Sequence, residues 1–174
     1  MAKVDYIVDA VFSLVTQARD LIPEQASIQP MSEMEVIKFG EKTEGGFNEH
    51  SITVGCTGWS AQGTGGVGSS SVGHYKDDAG IYIPKTYQIT ILVNSISPTV
   101  VTAICEYLYD VLVVLKSRIS KALTIVAITP GALSQNDRGW SMPLSLFVSS
   151  SLKIQTDHIE RVVENISLKA FNVT

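Results

Sequence analysis

The stretch TYQITILVNSISPTVVTAICEYLYDVLVVLKSRISK, from Thr86 to Lys121, carries two periodicities in succession. Over Thr86 to Val93 the apolar residues alternate, with Tyr87, Ile89, Ile91 and Val93 on one side and Gln88, Thr90 and Leu92 on the other. Successive side chains of an extended chain point to opposite faces, so this pattern predicts a strand. Ser97 then offers a side-chain acceptor to the free amides of a helix start, and Pro98 takes the first helical position, where no amide is needed. From there the repeat becomes helical, with a stripe of Val101, Ile104, Leu108, Val111, Leu112, Leu115 and Ile119. Val100, Val113 and Val114 widen the stripe. The expectation is a helix to about Lys121, covered on more than one face.

Working outward, residues 4 to 22 read as a second amphipathic helix. Val4, Ile7, Val8, Val11, Leu14, Val15, Ala18 and Leu21 recur at helical spacing, and Pro23 ends the run. Short strands are expected at Glu35 to Phe39 and Ser51 to Val54, joined by a hairpin-like connection with Gly45-Gly46 as its turn. On the C-terminal side a strand at Leu123 to Thr129 is broken by Pro130-Gly131, and a loop follows over Ala132 to Ser141. Two strand-like runs close the chain, Leu144 to Gln155 and Arg161 to Val173, with a hairpin at Thr156 to Glu160. This order predicts one α+β domain over 1–174, a mostly antiparallel sheet with two main helices on one face.

Between the early and central strands lies Gly55 to Gly73, with seven glycines in 19 residues and Ser60, Ser69, Ser70 and Ser71 among them. Such a segment has little to bury and much backbone entropy to lose. It reads as a long Gly/Ser-rich loop, flexible over about 55–80, that orders against a partner.

Composition narrows the function. Charged residues make up 17%, below the roughly 25% usual for soluble domains. Either the loops are rich in Ser, Thr and Gly, or part of the surface is buried against other subunits. Net charge is -4, and no Lys/Arg cluster suits phosphate neutralisation, which excludes sequence-specific nucleic-acid binding. Lys116, Arg118 and Lys121 instead complement the end of the long helix. Cys56 and Cys105 are too few for a disulfide scaffold. The most apolar stretch, Thr99 to Leu115, carries Glu106 and Asp110 and is short for a membrane span. With no signal-peptide pattern at the start, the expectation is a protein made and kept in the cytoplasm, without membrane contact.

No reaction centre emerges. Gly63-Thr64-Gly65-Gly66-Val67-Gly68 lacks the Gly-Lys-Ser/Thr of a phosphate loop. Cys56 with His50 or His74 as base supplies the residue types of a nucleophilic site without a signature. His50, His74 and His158 are isolated, and Asp77-Asp78 lacks the alternating ligands of a calcium loop, so neither metal nor cofactor is expected. Glu106 and Asp110, one turn apart, read as a solvated or subunit-facing strip. Trp59 and Trp140, both assigned to polar loops, point either to covered contact surfaces or to rings that close their own loops over the core. The final strand is placed either to pair with a neighbouring sheet edge or to finish its own sheet.

Three stretches resemble the tail terminator, or tail completion, proteins of long-tailed bacteriophages. Met1-Ala2-Lys3-Val4-Asp5-Tyr6-Ile7-Val8-Asp9-Ala10-Val11 is similar to the short N-terminal helix of such chains. Tyr87-Gln88-Ile89-Thr90-Ile91-Leu92-Val93, leading into the helix from Pro98, is similar to their central strand-to-helix unit, and the closing strands to the remainder of their sheet. The resemblance covers most of the chain at the level of architecture. It implies a non-enzymatic virion subunit, present in the tail or neck, that closes into a hexameric ring. Such a ring caps the tail tube and presents the surface that joins head and neck, with tube, sheath and neck or connector proteins as partners. Trp59, His74, Tyr75, Arg138, Trp140 and Phe171 are then the expected contact residues. The other readings are a tube or connector protein, a small cytosolic enzyme using Cys56 with His74, and a ligand-binding module with the glycine-rich loop as a lid.

Overall fold

A computed structural model describes residues 3–25, 28, 30–41, 50–61, 75–77, 80–82 and 84–150, with 61, 75–77 and 80–82 as backbone alone. Along the chain run α1 (Lys3–Asp20), β1 (Glu35–Lys38), β2 (Ser51–Ala61), β3 (Tyr75–Asp77), β4 (Gly80–Tyr82), β5 (Lys85–Ser95) and α2 (Pro98–Leu115). They are followed by β6 (Leu123–Pro130), β7 (Ser134–Asn136) and β8 (Gly139–Ser150). Short 3₁₀ turns lie at Met31–Glu33 and Lys116–Arg118.

The alternation of Tyr87, Ile89, Ile91 and Val93 makes β5 the centre of the main sheet, whose order is β1-β2-β5-β8-β6, with β7 beside β8. β2, β5, β8 and β6 pair antiparallel, while β1 runs parallel to β2. The register puts Ile89 between Cys56 and Leu146, and Ile91 between Val54 and Leu144. These side chains share one face, and both helices lie on it. Ile7, Val11 and Val15 of α1 and Val101, Ile104, Leu108 and Leu112 of α2 complete a core without solvent access. Each such aliphatic side chain contributes ~1.5–3 kcal/mol relative to exposure. The expected α+β sandwich, with two main helices on one face of a mostly antiparallel sheet, is the observed fold.

The helix ends follow from local chemistry. Ser97 Oγ accepts from the Val100 amide at 3.5 Å, with Pro98 in the first turn. α2 stops at Leu115, earlier than the stripe predicts, because Lys116–Arg118 tighten into a 3₁₀ turn and Ile119 is extended. That turn still buries Ile119 and aims the chain into β6. Tyr6 Oη and Ser120 Oγ, 2.6 Å apart, tie α1 to the same corner. Leu21, assigned to the stripe of α1, is exposed, since the helix has ended and the buried Ile22 anchors the exit instead.

Several expectations are corrected. β2 does not stop at Val54: it continues through Gly55, Cys56, Gly58 and Trp59 to Ala61, so this part of the glycine-rich segment is strand. The long partner β5 supplies backbone hydrogen bonds over the whole stretch, with a bulge at Thr57. Gly55 lies under the Phe39 side chain, which would have to shift for a Cβ that would stand 2.3 Å from its ring. Tyr75–Asp77 and Gly80–Tyr82 pair as a short antiparallel ribbon, and the rest of the predicted 55–80 loop lies outside the described residues. β1 and β2 are parallel, so their connection crosses from one sheet end to the other and is not a hairpin; Gly45-Gly46 lies outside the described residues.

The predicted loop Ala132 to Ser141 holds β7 and the start of β8. Over Leu144 to Ser149, β8 is hydrogen-bonded to β5 on one side and β6 on the other. That part of the strand therefore has no free side for a hairpin partner. The predicted strand Arg161 to Val173 and its turn lie outside the described residues. Val113 and Val114 of α2 are exposed, Val114 at 75%, so the second cover expected for that helix is not supplied by the described residues.

Candidate interaction surfaces

Trp59 and Trp140 both stand on strands, where the sequence placed loops. Trp59 faces Tyr87 across β2 and β5, and Trp140 faces Ser95 at the other end of β5. Eight residue steps along β5 separate those positions, roughly 27 Å. The two tryptophans therefore mark opposite ends of the molecule.

At the first end the Trp59 ring is 61% exposed on the helix side, and Lys85 Nζ lies 4.4 Å from its centre. A cation over an exposed indole contributes about 0.5–1 kcal/mol. Lys3 lies close enough that burial, and then the charge of Lys85, lowers its ammonium below the usual lysine range. At the other end Trp140 is half-buried against the core. Gly139 sets its approach, with φ +139° and a would-be Cβ 2.6 Å from the Ser95 carbonyl oxygen. Arg138 is exposed, and its amide donates to Asn136 Oδ1 at 2.9 Å. Tyr75 is a backbone position in β3, and His74 and Phe171 lie outside the described residues.

The groups weighed for chemistry are not gathered. His50 Nδ1 is 2.9 Å from Ser95 Oγ, whereas Cys56 Sγ donates to the Gly58 carbonyl oxygen at 3.4 Å. Six residue steps along extended chain separate His50 from Cys56, roughly 20 Å, so His50 does not serve Cys56 as a base. His74 and His158 lie outside the described residues. Cys105 is buried in α2 against the Met142 carbonyl, and burial pushes its thiol up to about 12, far from a reactive thiolate. Among the described residues no three His, Cys, Asp or Glu side chains come together as a metal would need. Glu106 and Asp110 are exposed on α2. Glu106, with Pro98, Thr99, Thr102, Ala103 and Leu133, lines an open groove of about 450 Å³.

Pro98–Arg118, at a mean hydropathy of 1.6, is long and apolar enough to cross a bilayer by composition, and 33% of it is buried. In the fold its stripe packs on β5, β8 and β6.

What the sequence reading missed is where charge is absent. On the sheet face away from the helices, β5 carries Thr86, Gln88, Thr90, Leu92 and Asn94, and β8 carries Ser141, Pro143, Ser145, Phe147 and Ser149. Neutral hydrogen bonds link them and β2: Thr57 Oγ1 to Thr90 Oγ1 at 2.8 Å, Gln88 Nε2 to Ser145 Oγ at 3.3 Å, and Asn94 Nδ2 to Thr53 Oγ1 at 3.3 Å. The flank beside this face is equally neutral. From Ala122 to Asn136, through β6 and β7, no residue is charged, and from Thr129 onward every one is exposed. The low charge of the chain is thus concentrated on strands as well as in loops. The uncharged run between Lys121 and Asp137 is present in the sequence, where its residue types predict only strand and turn. The sequence matches no protein-family model and no curated protein.

Proposed function

We propose that the chain is a structural subunit of a long-tailed bacteriophage, a tail terminator or neck protein that closes into a six-membered ring on the tail tube. The observation that carries the assembly reading is the charge-free flank of β6 and β7. Free strand edges are usually kept short or charged; among the described residues the outer side of β6, eight uncharged residues, has no partner strand, and Val113 and Val114 of α2 are exposed. The opposite flank is different in kind, with Glu35, Lys38 and Asp9 on its surface. Two unlike flanks suit head-to-tail contacts, and head-to-tail contacts that close by rotation make rings.

The resemblance to tail terminators supplies the rest of the reading. The ring works by geometry, occupying the last open ring of the tube so that no further tube subunit adds, and offering its far side to neck or connector proteins. Trp59 with Lys85 at one sheet end and Trp140 at the other suit these two axial contacts. The subunit acts without catalysis and without a cofactor, is made in the bacterial cytoplasm and is carried in the virion.

The test is tube growth. The tube protein of the same phage is polymerised with and without the chain, and lengths are read by electron microscopy. Shorter tubes with density at one end are expected. Unchanged length with bare ends would sink the terminator role, and binding to isolated neck complexes alone would reassign the chain to the connector.

A further inference from the structure

The β6 strand reads nearly the same from either end: Leu123-Thr124-Ile125-Val126-Ala127-Ile128-Thr129-Pro130. The centre of this symmetry falls between Val126 and Ala127. In a regular strand the symmetry would be useless for self-pairing, because Ile125 and Ile128, an odd number of positions apart, would point to opposite faces. The bulge at Val126 changes that. It sets Ile125 opposite Val148 and Ile128 opposite Leu146, two residues apart on β8. Both isoleucines therefore lie on the helix side with the same hydrogen-bonding phase. Thr124 and Thr129, opposite Ser149 and Ser145, share the other face in the same way.

We propose that β6 pairs antiparallel with β6 of a second copy, about a two-fold axis between Val126 and Ala127, joining two sheets into one. Ile125 then faces Ile128 of the second copy on the helix side, and Thr124 faces its Thr129 on the other. Like pairs of this kind are favourable cross-strand neighbours. No charge lies between Ala122 and Asn136, so self-pairing sets no like charges against each other. Among the described residues nothing pairs with the outer side of β6, and Val126 is 61% exposed there.

For strand pairing, as distinct from a contact between flank surfaces in a ring, a second β6 fits and the β1 edge does not. β1 has four residues, two of them charged, and its Lys38 amide is already held by Glu41 Oε2 at 3.0 Å. A single strand-to-strand contact roughly 20 Å long buries less than the ~1,200–2,000 Å² of stable interfaces. The pair is therefore reversible and concentration-dependent, a form in which free subunits cover this edge. The inference rests on β6 alone and holds whether or not the ring reading does.

The test uses the full chain carrying Cys56→Ser, with Thr124→Cys and Thr129→Cys introduced singly and together. In the predicted register Thr124 meets Thr129 of the second copy, while two copies of Thr124 stand roughly 14 Å apart along the strands. Mild oxidation is expected to give a covalent dimer from the double variant and from a mixture of the two single variants, and from neither single variant alone. Val126→Lys, which leaves the core untouched, is expected to weaken association at least tenfold in sedimentation while circular dichroism stays unchanged. Crosslinking of a single variant by itself, an oligomer that resists crosslinking in the double variant, an oligomer indifferent to Val126→Lys, or a monomer at all concentrations would each overturn the proposal.

Discussion

Along the β1 flank the chain meets its own side chains. Lys38 Nζ sits 2.7 Å from Asp9 Oδ1 and over the Phe12 ring, which joins the edge strand to α1. The hydrogen bond to Asp9 raises the Lys38 ammonium above its usual range, with burial pulling the other way. Phe39 lies on Gly55. Along the β6 flank Val126, Ala127 and Thr129 are exposed, in a run from Ala122 to Asn136 that holds no charged residue. The difference teaches that low charge is a local property in this molecule. Among the described residues polar closure is present at the β1 edge and absent at the β6 edge, where the proposed second copy would pair.

The largest test of that contrast introduces the same residue on both sides. Val54→Lys, at a core position of β2 with no exposure, buries an unpaired charge and is expected to cost more than ~4 kcal/mol. Chemical denaturation will show the variant largely unfolded. A folded Val54→Lys would mean that the core under α1 is looser than the packing indicates.

Next come two glycines, one on each side. Gly139→Ala combines a positive φ with a carbonyl oxygen 2.6 Å from the new Cβ, and backbone cannot swing away. A loss of about 2–4 kcal/mol is expected. Gly55→Ala meets only Phe39, a side chain already 44% exposed, and should cost about 1 kcal/mol. Urea midpoints of the two variants rank the effects, and equal losses would deny the distinction between a backbone and a side-chain neighbour.

Asp9→Asn comes after these. The ion pair with Lys38 is substantially exposed, so its loss should cost about 0.2–1 kcal/mol at low salt and less at high salt. A cost that does not change with salt would show that Asp9 acts through packing. Smallest of all, Val126→Lys should leave unfolding of the monomer within about 0.5 kcal/mol of the parent. A large destabilisation there would mean that β6 is held by contacts within its own chain.

How much of this was legible in the sequence depends on how far each residue answers to its neighbours alone. The alternation over Tyr87 to Val93, the Ser97-Pro98 start and the stripe of α2 are local signals, and they gave the central unit and the helix-on-sheet class. The run from Gly55 to Ala61 was misread because its conformation is set by β5, a strand more than twenty residues away in sequence. Glycine content reports backbone freedom, not whether a partner strand takes that freedom away. The parallel pairing of β1 with β2 was hidden for the same reason, since a short link with glycines reads as a hairpin by default. Trp140 read as a loop residue because Gly139 and Asp137 flank it, although β5 holds it in a strand. Cys56 and His50 illustrate the limit for sites, where suitable residue types fall along one extended stretch too far apart to meet.

The symmetry of β6 lay in plain view between Thr124 and Thr129, yet it acquires meaning only through the bulge at Val126, which no local rule announces. The contact residues expected from the tail-terminator resemblance divide in the same fashion. Trp59 and Trp140 gained positions, at opposite ends of β5, while Arg138 gained an exposed turn.

The measurement closest to the central claim is the native mass of the full chain over a wide concentration range, with electron microscopy of each species. A ring-forming tail subunit is expected to give a closed species of six 18.8 kDa chains with an open centre, in exchange with β6-linked pairs at low concentration. Pairs and monomers alone at every concentration, with no ring either free or on tubes, would contradict it.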